Sequence, residues 1–347
     1  MAKRKPEEIE ILKCTYPIVR DELSGHGKAL EILEKSLKNG TFPATVLISG
    51  PPRVGKTSLA YIIAAALECE APTPWACGEC LSCRKIKRSL FPDLRIITLE
   101  ESDKGKLKSQ ILVEQVRKEV LETIELPPYE GKKLIFIIEP AEALNISSQN
   151  ALLKVLEEPP SYAHFILIAK DFGPLLPTVR SRCQEIHLSE VEDSEMEKIA
   201  LEMNIRGRKR EAIDVSRGRP GILISGEWED FLELRGALEQ LLVLGSSLED
   251  YPKLAPMFDV LLEYQPLVVL DEAAYMIKEM SRSLEDPESG RSETCRKILG
   301  AGGRENLFRK AKLILEAPSL LVRNVQPKLL YQSIFLDLGR KPDTGLN

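Results

Sequence analysis

The sequence predicts an α/β fold with a parallel sheet in its first half, followed by an all-helical second half. Up to about Leu188, short β-rich runs alternate with helical stretches, which is the pattern of a parallel sheet. A loop rich in Gly and Pro separates the first of these runs from an alanine-rich helix. After Ser189, strand-like runs become scarce and helical periodicity dominates to the end of the chain.

Each element of the first half follows from its local pattern. Leucines on one face predict a first helix that stops at Gly40, because Gly is common just past helix ends. Continuous apolar runs predict buried strands of a parallel sheet. The last helix of this half ends before Pro159 and Pro160, because Pro cannot continue a helix. The predicted strands are 44–49, 94–99, 133–138, 164–169 and 185–188. A polar entry segment followed by the first helix is predicted within 19–39, and further helices are predicted at 58–67, 114–123 and 147–157.

Length and composition indicate a globular protein with more than one domain. The chain has 347 residues, 43% of them apolar and 29% charged, and one compact domain seldom holds so many. Breaks in the pattern predict domains at 1–188, 189–226 and 227–347. The net charge of −5 argues against a broad basic coat for nucleic acid, although a local basic strip suffices for phosphate contacts. No apolar run approaches the ~20 residues that span a bilayer, so we predict no membrane association and a cytoplasmic location.

The loop after the first strand carries a phosphate-binding motif. Gly50-Pro51-Pro52-Arg53-Val54-Gly55-Lys56-Thr57 matches G-x-x-x-x-G-K-[ST] at every fixed position. The glycines let backbone N–H groups approach phosphate oxygens, and the following helix N-terminus adds partial positive charge. Lys56 is expected to reach the β- and γ-phosphates and Thr57 to hold Mg²⁺. The motif predicts binding of ATP with Mg²⁺, and the alternative is a chance Gly-rich turn.

The acidic residues that hydrolysis requires are altered. One carboxylate at the end of a neighbouring strand holds Mg²⁺, and a second group orients the attacking water. The strand at 134–138 is followed by Glu139, which is longer than Asp, and by Pro140, which cannot orient water. Glu142 lies two residues further on, and we expect it to point elsewhere as a solvated acid. The pattern predicts a nucleotide binder with weak or absent turnover, so whether the chain is an enzyme stays open.

Four of the seven cysteines crowd into one short segment. Cys69, Cys77, Cys80 and Cys83 supply four thiolates, enough for a closed tetrahedral zinc site with a structural role. In a reducing compartment such crowding indicates a metal before it indicates disulfides. An iron–sulfur cluster is the alternative. Zinc is favoured because the segment looks like an insertion in a nucleotide-binding domain without a second set of cysteines.

Three motifs together resemble those of bacterial clamp-loader subunits, the AAA+ proteins of DNA polymerase III. In chain order they are the cysteine module Cys77–Cys83, the run Asn150–Pro160 and the turn Thr178–Cys183. This is also the order in which the family has them. The resemblance implies an AAA+ domain with a zinc module at 69–83, a small helical lid at 189–226 and a helical collar for oligomerisation at 227–347. It also implies a hetero-pentamer with gamma/tau and delta subunits that loads the sliding clamp onto primed DNA.

Departures from the motor pattern of this family favour its non-motor, delta-prime branch. Glu139 and Pro140 replace the Asp-Glu pair of the motor, Lys170 stands where the motor has a sensor Thr, and Gly221 where it has a phosphate-sensing Arg. The intact Gly55-Lys56-Thr57 argues the other way. Two alternatives stay open: an active ATPase motor of the gamma/tau type, and a stand-alone AAA+ helicase loader or switch.

The resemblance assigns the chemistry of this chain to Arg182, in the Ser-Arg-Cys turn. In the family this arginine acts on the ATP that a neighbouring subunit binds. A guanidinium so placed stabilises the charge that develops on a transferring γ-phosphoryl group. The alternative is a structural arginine that caps a turn. We therefore predict that the chain completes the active site of a neighbour with Arg182 in trans.

Overall fold

The computed structural model describes residues 16–101, 108–244, 251–285, 308–321, 323 and 325–336. The chain divides into two compact units, whose described parts lie within 9–225 and 226–347. In the described part of the chain, no helix combines the length and the apolar character needed to span a membrane.

A five-stranded parallel sheet forms the centre of the first unit. The strand order is β2-β3-β4-β1-β5, and every neighbouring pair is parallel. Because all strands run the same way, their carboxyl ends meet at one edge, where the loops after β1, β3 and β4 lie together. The strands are β1 (Thr45–Ser49), β2 (Leu94–Ile97), β3 (Leu134–Ile138), β4 (Ala163–Ala169) and β5 (Gln184–His187).

Helices cover both faces of this sheet. Val46 and Ile48 of β1 belong to one buried cluster and Leu47 to the other, because successive side chains of a strand point to opposite faces. The first cluster includes residues of α1 and α2, and the second includes residues of α4 to α6. These helices are α1 (Gly27–Lys38), α2 (Lys56–Glu68), α3 (Leu81–Lys87), α4 (Val113–Val116), α5 (Ile146–Glu157) and α6 (Pro177–Arg180).

Three short helices complete the first unit, at the position of the predicted lid. They are α7 (Asp193–Glu202), α8 (Lys209–Ser216) and α9 (Pro220–Ser225). The Val191 N–H donates to the Gly218 carbonyl at 2.7 Å, which ties the start of this segment to its end. Residues 9–225 form one unit by contact, so the domain boundary at 188 stays a prediction.

The described part of the second unit is helical. Its helices are α10 (Trp228–Leu244), α11 (Tyr251–Leu262), α12 (Pro266–Glu285), α13 (308–321) and α14 (Pro327–Phe335). Inside it, Arg235 pairs with the buried carboxylate of Glu272 at 3.0 Å, and a buried charge requires such a partner. The parallel sheet and the helical remainder confirm the predicted fold class.

The helix predicted at 114–123 differs from an ordinary α-helix. After α4 the chain continues through a π-helical turn at Arg117–Leu121. The buried side chains here are Val116, Val120 and Ile124, which recur every four residues. Residues four apart lie on one face of a helix, so all three side chains face the core. The pattern of charged and apolar residues predicted the helix but not its wider turn.

Gly50 is a position where the fold tolerates no side chain. Its φ is +143°, and a Cβ there would lie 2.1 Å from the Leu188 carbonyl oxygen. We expect Gly50→Ala to lower the free energy of unfolding by about 3 kcal/mol, because the added methyl displaces backbone. Gly40→Ala is the matched control, since φ is +66° and no described atom lies within 4 Å. Its expected loss is about 1 kcal/mol from the left-handed backbone alone. Urea unfolding measures both variants, and equal losses would contradict the role of the Leu188 contact.

Candidate functional site

The phosphate-binding motif forms a tight loop between β1 and α2. Gly50, Arg53 and Gly55 all have positive φ values, of 143°, 67° and 105°. Glycine adopts such angles without steric cost, and Arg53 is the one non-glycine residue of this loop that does so. The helix α2 then begins at Lys56, with Gly55 as its N-cap residue. The predicted motif therefore has the strand–loop–helix context that phosphate binding requires.

The Lys56 ammonium lies inside this loop. Nζ donates hydrogen bonds to the carbonyl oxygens of Gly50 at 2.8 Å and Pro51 at 2.7 Å. Burial lowers the pKa of Lys56, and the carboxylates of Glu139 and Glu142 oppose that shift. These carbonyl oxygens accept hydrogen bonds from the same N–H groups of Lys56 that would donate to phosphate oxygens. The cation is thus held within the cradle, on partners that a nucleotide can replace.

Thr57 and Glu139 bring two oxygen ligands together at the edge of the sheet. The Thr57 hydroxyl donates to the carboxylate of Glu139, at 2.8 Å and 3.0 Å from its two oxygens. Burial raises the pKa of Glu139, while the hydrogen bond from Thr57 and the charge of Lys56 lower it. A hydroxyl and a carboxylate are hard oxygen ligands of the kind Mg²⁺ takes. The longer side chain of Glu139 therefore reaches the hydroxyl of Thr57.

Glu142 lies closer to this site than the sequence suggests. Its Oε1 accepts a hydrogen bond from the Lys170 backbone N–H at 3.1 Å. Its Oε2 is buried and has no hydrogen-bond partner among the described residues. The charge of Glu142 also contributes to the pKa shifts of Lys56 and Glu139. The expectation that Glu142 is a solvated acid pointing elsewhere is wrong, because the turn Ala141–Ala143 folds it back towards β4.

The lid segment contacts the phosphate loop directly. The Gly221 N–H donates to the Arg53 carbonyl at 2.9 Å, and a Cβ at Gly221 would lie 3.0 Å from the same oxygen. At the position where the resemblance places a phosphate-sensing arginine, the chain therefore offers a backbone contact and no side chain.

His26 contacts the phosphate loop from outside it, and the sequence assigned no role to this residue. Its Nε2 lies 2.9 Å from the Val54 carbonyl oxygen, so the ring donates a hydrogen bond to the loop from the segment before α1. Burial lowers the pKa of His26, which favours the neutral ring. The signal available beforehand was its place in Gly25-His26-Gly27, but a contact across 28 residues does not follow from sequence.

The four predicted metal ligands form one cluster. The sulfur atoms of Cys69, Cys77, Cys80 and Cys83 all lie within 4.8 Å of one another. Zn–S bonds of about 2.3 Å in a tetrahedron place sulfurs about 3.8 Å apart, so the cluster needs only a small contraction. Its all-sulfur donor set fits a structural zinc ion and leaves no open ligand position.

Backbone donors support the thiolate form of these cysteines. The Cys77 N–H donates to the Cys69 sulfur at 3.2 Å, and the Cys80 N–H to the Cys77 sulfur at 3.4 Å. Hydrogen bonds from backbone N–H groups of Cys80 and Glu79 lower the pKa of Cys77 to about 7. Burial instead raises the pKa of Cys83, so a bound cation would favour its ionised form.

Arg182 lies at the surface just after α6. Its Nη1 donates to the Thr178 carbonyl at 2.9 Å, and its Nη2 pairs with the Glu157 carboxylate at 2.9 Å. Its side chain is 28% exposed. The structure thus gathers Lys56, Thr57 and Glu139 in one site and the cysteines in another. Arg182 belongs to neither group by its described contacts.

The sequence and its geometry match known proteins over the sheet domain. A family model described as DNA polymerase III, delta subunit, matches residues 25–192. The delta' subunit of DNA polymerase III from Pseudomonas aeruginosa is 40% identical over 138 residues, which cover 40% of each chain. Residues 25–192 therefore resemble the DNA polymerase III clamp-loader family over the whole sheet and its phosphate loop, as the motifs predicted.

Clamp-loader relatives of both types resemble this chain. The tau/gamma subunit of Haemophilus influenzae is 34% identical over 176 residues, which are 50% of this chain and 24% of that protein. The chain spans 40% or less of the length of these two relatives. A gamma subunit-related protein of Thermotoga maritima superposes with a TM-score of 0.44 at 13% identity, covering 88% of this chain and 97% of its own. Similarity does not separate the delta-prime type from the motor type.

Removal of one cysteine tests the metal site. We expect the purified chain to carry one zinc ion and Cys80→Ser to lose it, because three thiolates no longer close the tetrahedron. Cys183→Ser is the matched control, since this thiol is half-buried and outside the cluster. Elemental analysis of the purified proteins measures the metal. Absence of zinc from the wild-type chain, or equal loss in both variants, would contradict the assignment.

Proposed function

We propose that this chain is a delta-prime-like subunit of a clamp loader, with little ATPase activity of its own. In this role it takes part in the ATP-dependent loading of a sliding clamp onto primed DNA. It holds Mg²⁺–ATP in its own phosphate loop and supplies Arg182 to the active site of a neighbouring subunit. The observation that carries the proposal is an ordered phosphate loop beside a strand that is followed by Glu139 and Pro140.

Nucleotide binding is supported by the arrangement of Lys56, Thr57 and Glu139. The cation lies inside the loop, and the two oxygen ligands already contact each other. The following helix α2 directs its N-terminus at the loop, so its partial positive charge adds to that of Lys56. When bound, Mg²⁺ neutralises phosphate charge, and Thr57 with Glu139 would hold it.

Weak turnover is supported by what stands around that loop. Pro140 has neither a carboxylate nor any other group that can orient a water molecule. At Gly221 no cation is available for the phosphates, and the backbone there bonds to Arg53 instead. Binding without efficient hydrolysis is the function that this combination supports best.

Assembly with other subunits is supported by the family. Its relatives are named as subunits of DNA polymerase III, so we propose gamma/tau and delta subunits as the partners in a hetero-pentamer. Sliding clamp and primed DNA belong to the same proposal. Asn150 and Lys154 of α5 are exposed, and we propose this face for contact with the DNA.

Substitution of Arg182 tests the trans role. Such an arginine contributes about 10³-fold or more to the rate at the site it completes. We therefore expect Arg182→Ala to remove the contribution of that one site from the ATP turnover of the reconstituted complex. Arg84→Ala is the control, because Arg84 is an exposed arginine of the same domain. Steady-state hydrolysis with primed DNA and clamp measures both. Unchanged turnover in an intact complex would reject the trans role.

Glu142 favours the alternative that the chain is an active gamma/tau-type motor. Its Oε2 is buried without a described hydrogen-bond partner. Glu142 therefore has a carboxylate near the site, a group that Pro140 lacks. As a motor, the chain would use this oxygen to orient the attacking water.

The isolated chain distinguishes the two functions. The delta-prime proposal predicts that it binds Mg²⁺–ATP without multiple turnovers, both with and without Glu142→Gln. Glu202→Gln, an exposed acid of α7, is the control. Robust turnover that Glu142→Gln abolishes and Glu202→Gln preserves would establish the motor instead. Calorimetric binding together with phosphate release provides both readouts.

A further inference from the structure

The Arg182 guanidinium is held from two sides within its own chain. Nη1 donates to the Thr178 carbonyl one helical turn earlier, at 2.9 Å. Nη2 meets the Glu157 carboxylate at 2.9 Å, although Glu157 lies 25 residues away in sequence. The Nε atom is buried without a hydrogen-bond partner among the described residues. An unsatisfied buried donor costs free energy, so the two terminal contacts outweigh this cost in keeping the side chain in place.

The remaining donors of Arg182 suit one further anion. A guanidinium carries five N–H groups, one on Nε and two on each terminal nitrogen. Thr178 and Glu157 each take one terminal N–H, and the Nε–H is buried. One N–H on each terminal nitrogen is left for another acceptor. The planar fork of arginine makes such pairs of donors suitable for phosphate oxygens.

Glu157 stands where a helix disfavours a carboxylate. It is the last residue of α5, and helix C-termini carry partial negative charge that favours cations. Its neighbour Glu158 is acidic as well. The paired cation of Arg182 offsets this local excess of negative charge. Helix stability therefore does not explain a carboxylate at 157, whereas the contact with Arg182 does.

We propose that Glu157 is a positioning residue that fixes the direction of the Arg182 guanidinium for a phosphate of the neighbouring subunit. This inference rests on the proposed function, since it requires Arg182 to act in trans. Thr178 fixes one terminal nitrogen through the backbone, and Glu157 fixes the other through charge. With both held, the guanidinium plane is set before the neighbour arrives, which lowers the entropic cost of the reaction geometry.

The size of the effect follows from the exposure of the pair. The side chains of Arg182 and Glu157 are 28% and 58% exposed, so solvent screens their attraction. We expect Glu157→Gln to lower turnover about two- to fivefold at the one site that Arg182 completes, so kcat of the complex falls, but by less than with Arg182→Ala. KM for ATP stays unchanged, because the phosphate loop of the neighbour binds the nucleotide and Arg182 acts on the transition state. The matched control Glu158→Gln leaves both constants unchanged, because Glu158 is exposed and has no described ion pair with Arg182.

A double variant separates positioning from a structural role. The experiment compares Glu157→Gln, Glu158→Gln, Arg182→Ala and Arg182→Ala/Glu157→Gln in the reconstituted complex, after thermal unfolding confirms that each chain folds. If Glu157 acts through Arg182, the double variant has the same kcat as Arg182→Ala alone.

Three results would overturn the inference. They are a Glu157→Gln variant equal to Glu158→Gln, a rise in kcat with Glu157→Gln, and losses that add in the double variant. If Arg182→Ala itself leaves turnover unchanged, the trans role fails first and the positioning role falls with it. That result is distinct from the case in which Arg182→Ala lowers turnover and Glu157→Gln does not.

Discussion

The close approach of Gly50 to Leu188 is the constraint on which the site depends. The Leu188 N–H bonds to the Ser49 carbonyl at 2.8 Å, so the end of β5 is fixed against the end of β1. The Leu188 carbonyl then occupies the space that a Cβ of residue 50 would need. The chain leaves β1 into the phosphate loop and leaves β5 into the lid at this same point. Through the hydrogen bond of Gly221 to Arg53, the segment with α7 to α9 contacts that loop again.

The local parts of the structure were predictable because their signals are local. Apolar runs gave the strands, and the fixed positions of the phosphate motif gave the loop before α2. The spacing of four cysteines gave the cluster that the structure forms. Contacts between distant segments were not predictable in this way. The hydrogen bond of His26 to Val54 and the ion pair of Arg182 with Glu157 each join residues 25 or more apart. The periodicity of a sequence does not show which distant residues meet.

The electrostatics of the site suit a ligand that brings its own cation. The ammonium of Lys56 lies near the carboxylates of Glu139 and Glu142, and the charge of Lys170 acts on it as well. Burial raises the pKa of Glu139, so its ionised form is disfavoured by desolvation and favoured by nearby positive charge. A divalent cation at Thr57 and Glu139 would favour that ionised form much as a rise in pH does. Binding of metal and loss of a proton are therefore coupled at this carboxylate.

The proposed nucleotide binder and the motor alternative differ in the role of one carboxylate oxygen, Oε2 of Glu142. In a motor the two acids follow each other at the strand end, whereas here the second acidic side chain belongs to the turn after Pro140. The Lys170 N–H holds one oxygen of Glu142 and leaves the other buried, with no partner in the described ranges. Burial of an unpaired polar atom opposes folding. Stability therefore does not account for this oxygen, and the motor alternative gives it a role in orienting water. Because Lys170 follows β4 just as Glu139 follows β3, the carboxylate of Glu142 is held at the same sheet edge as the side chains of Thr57 and Glu139.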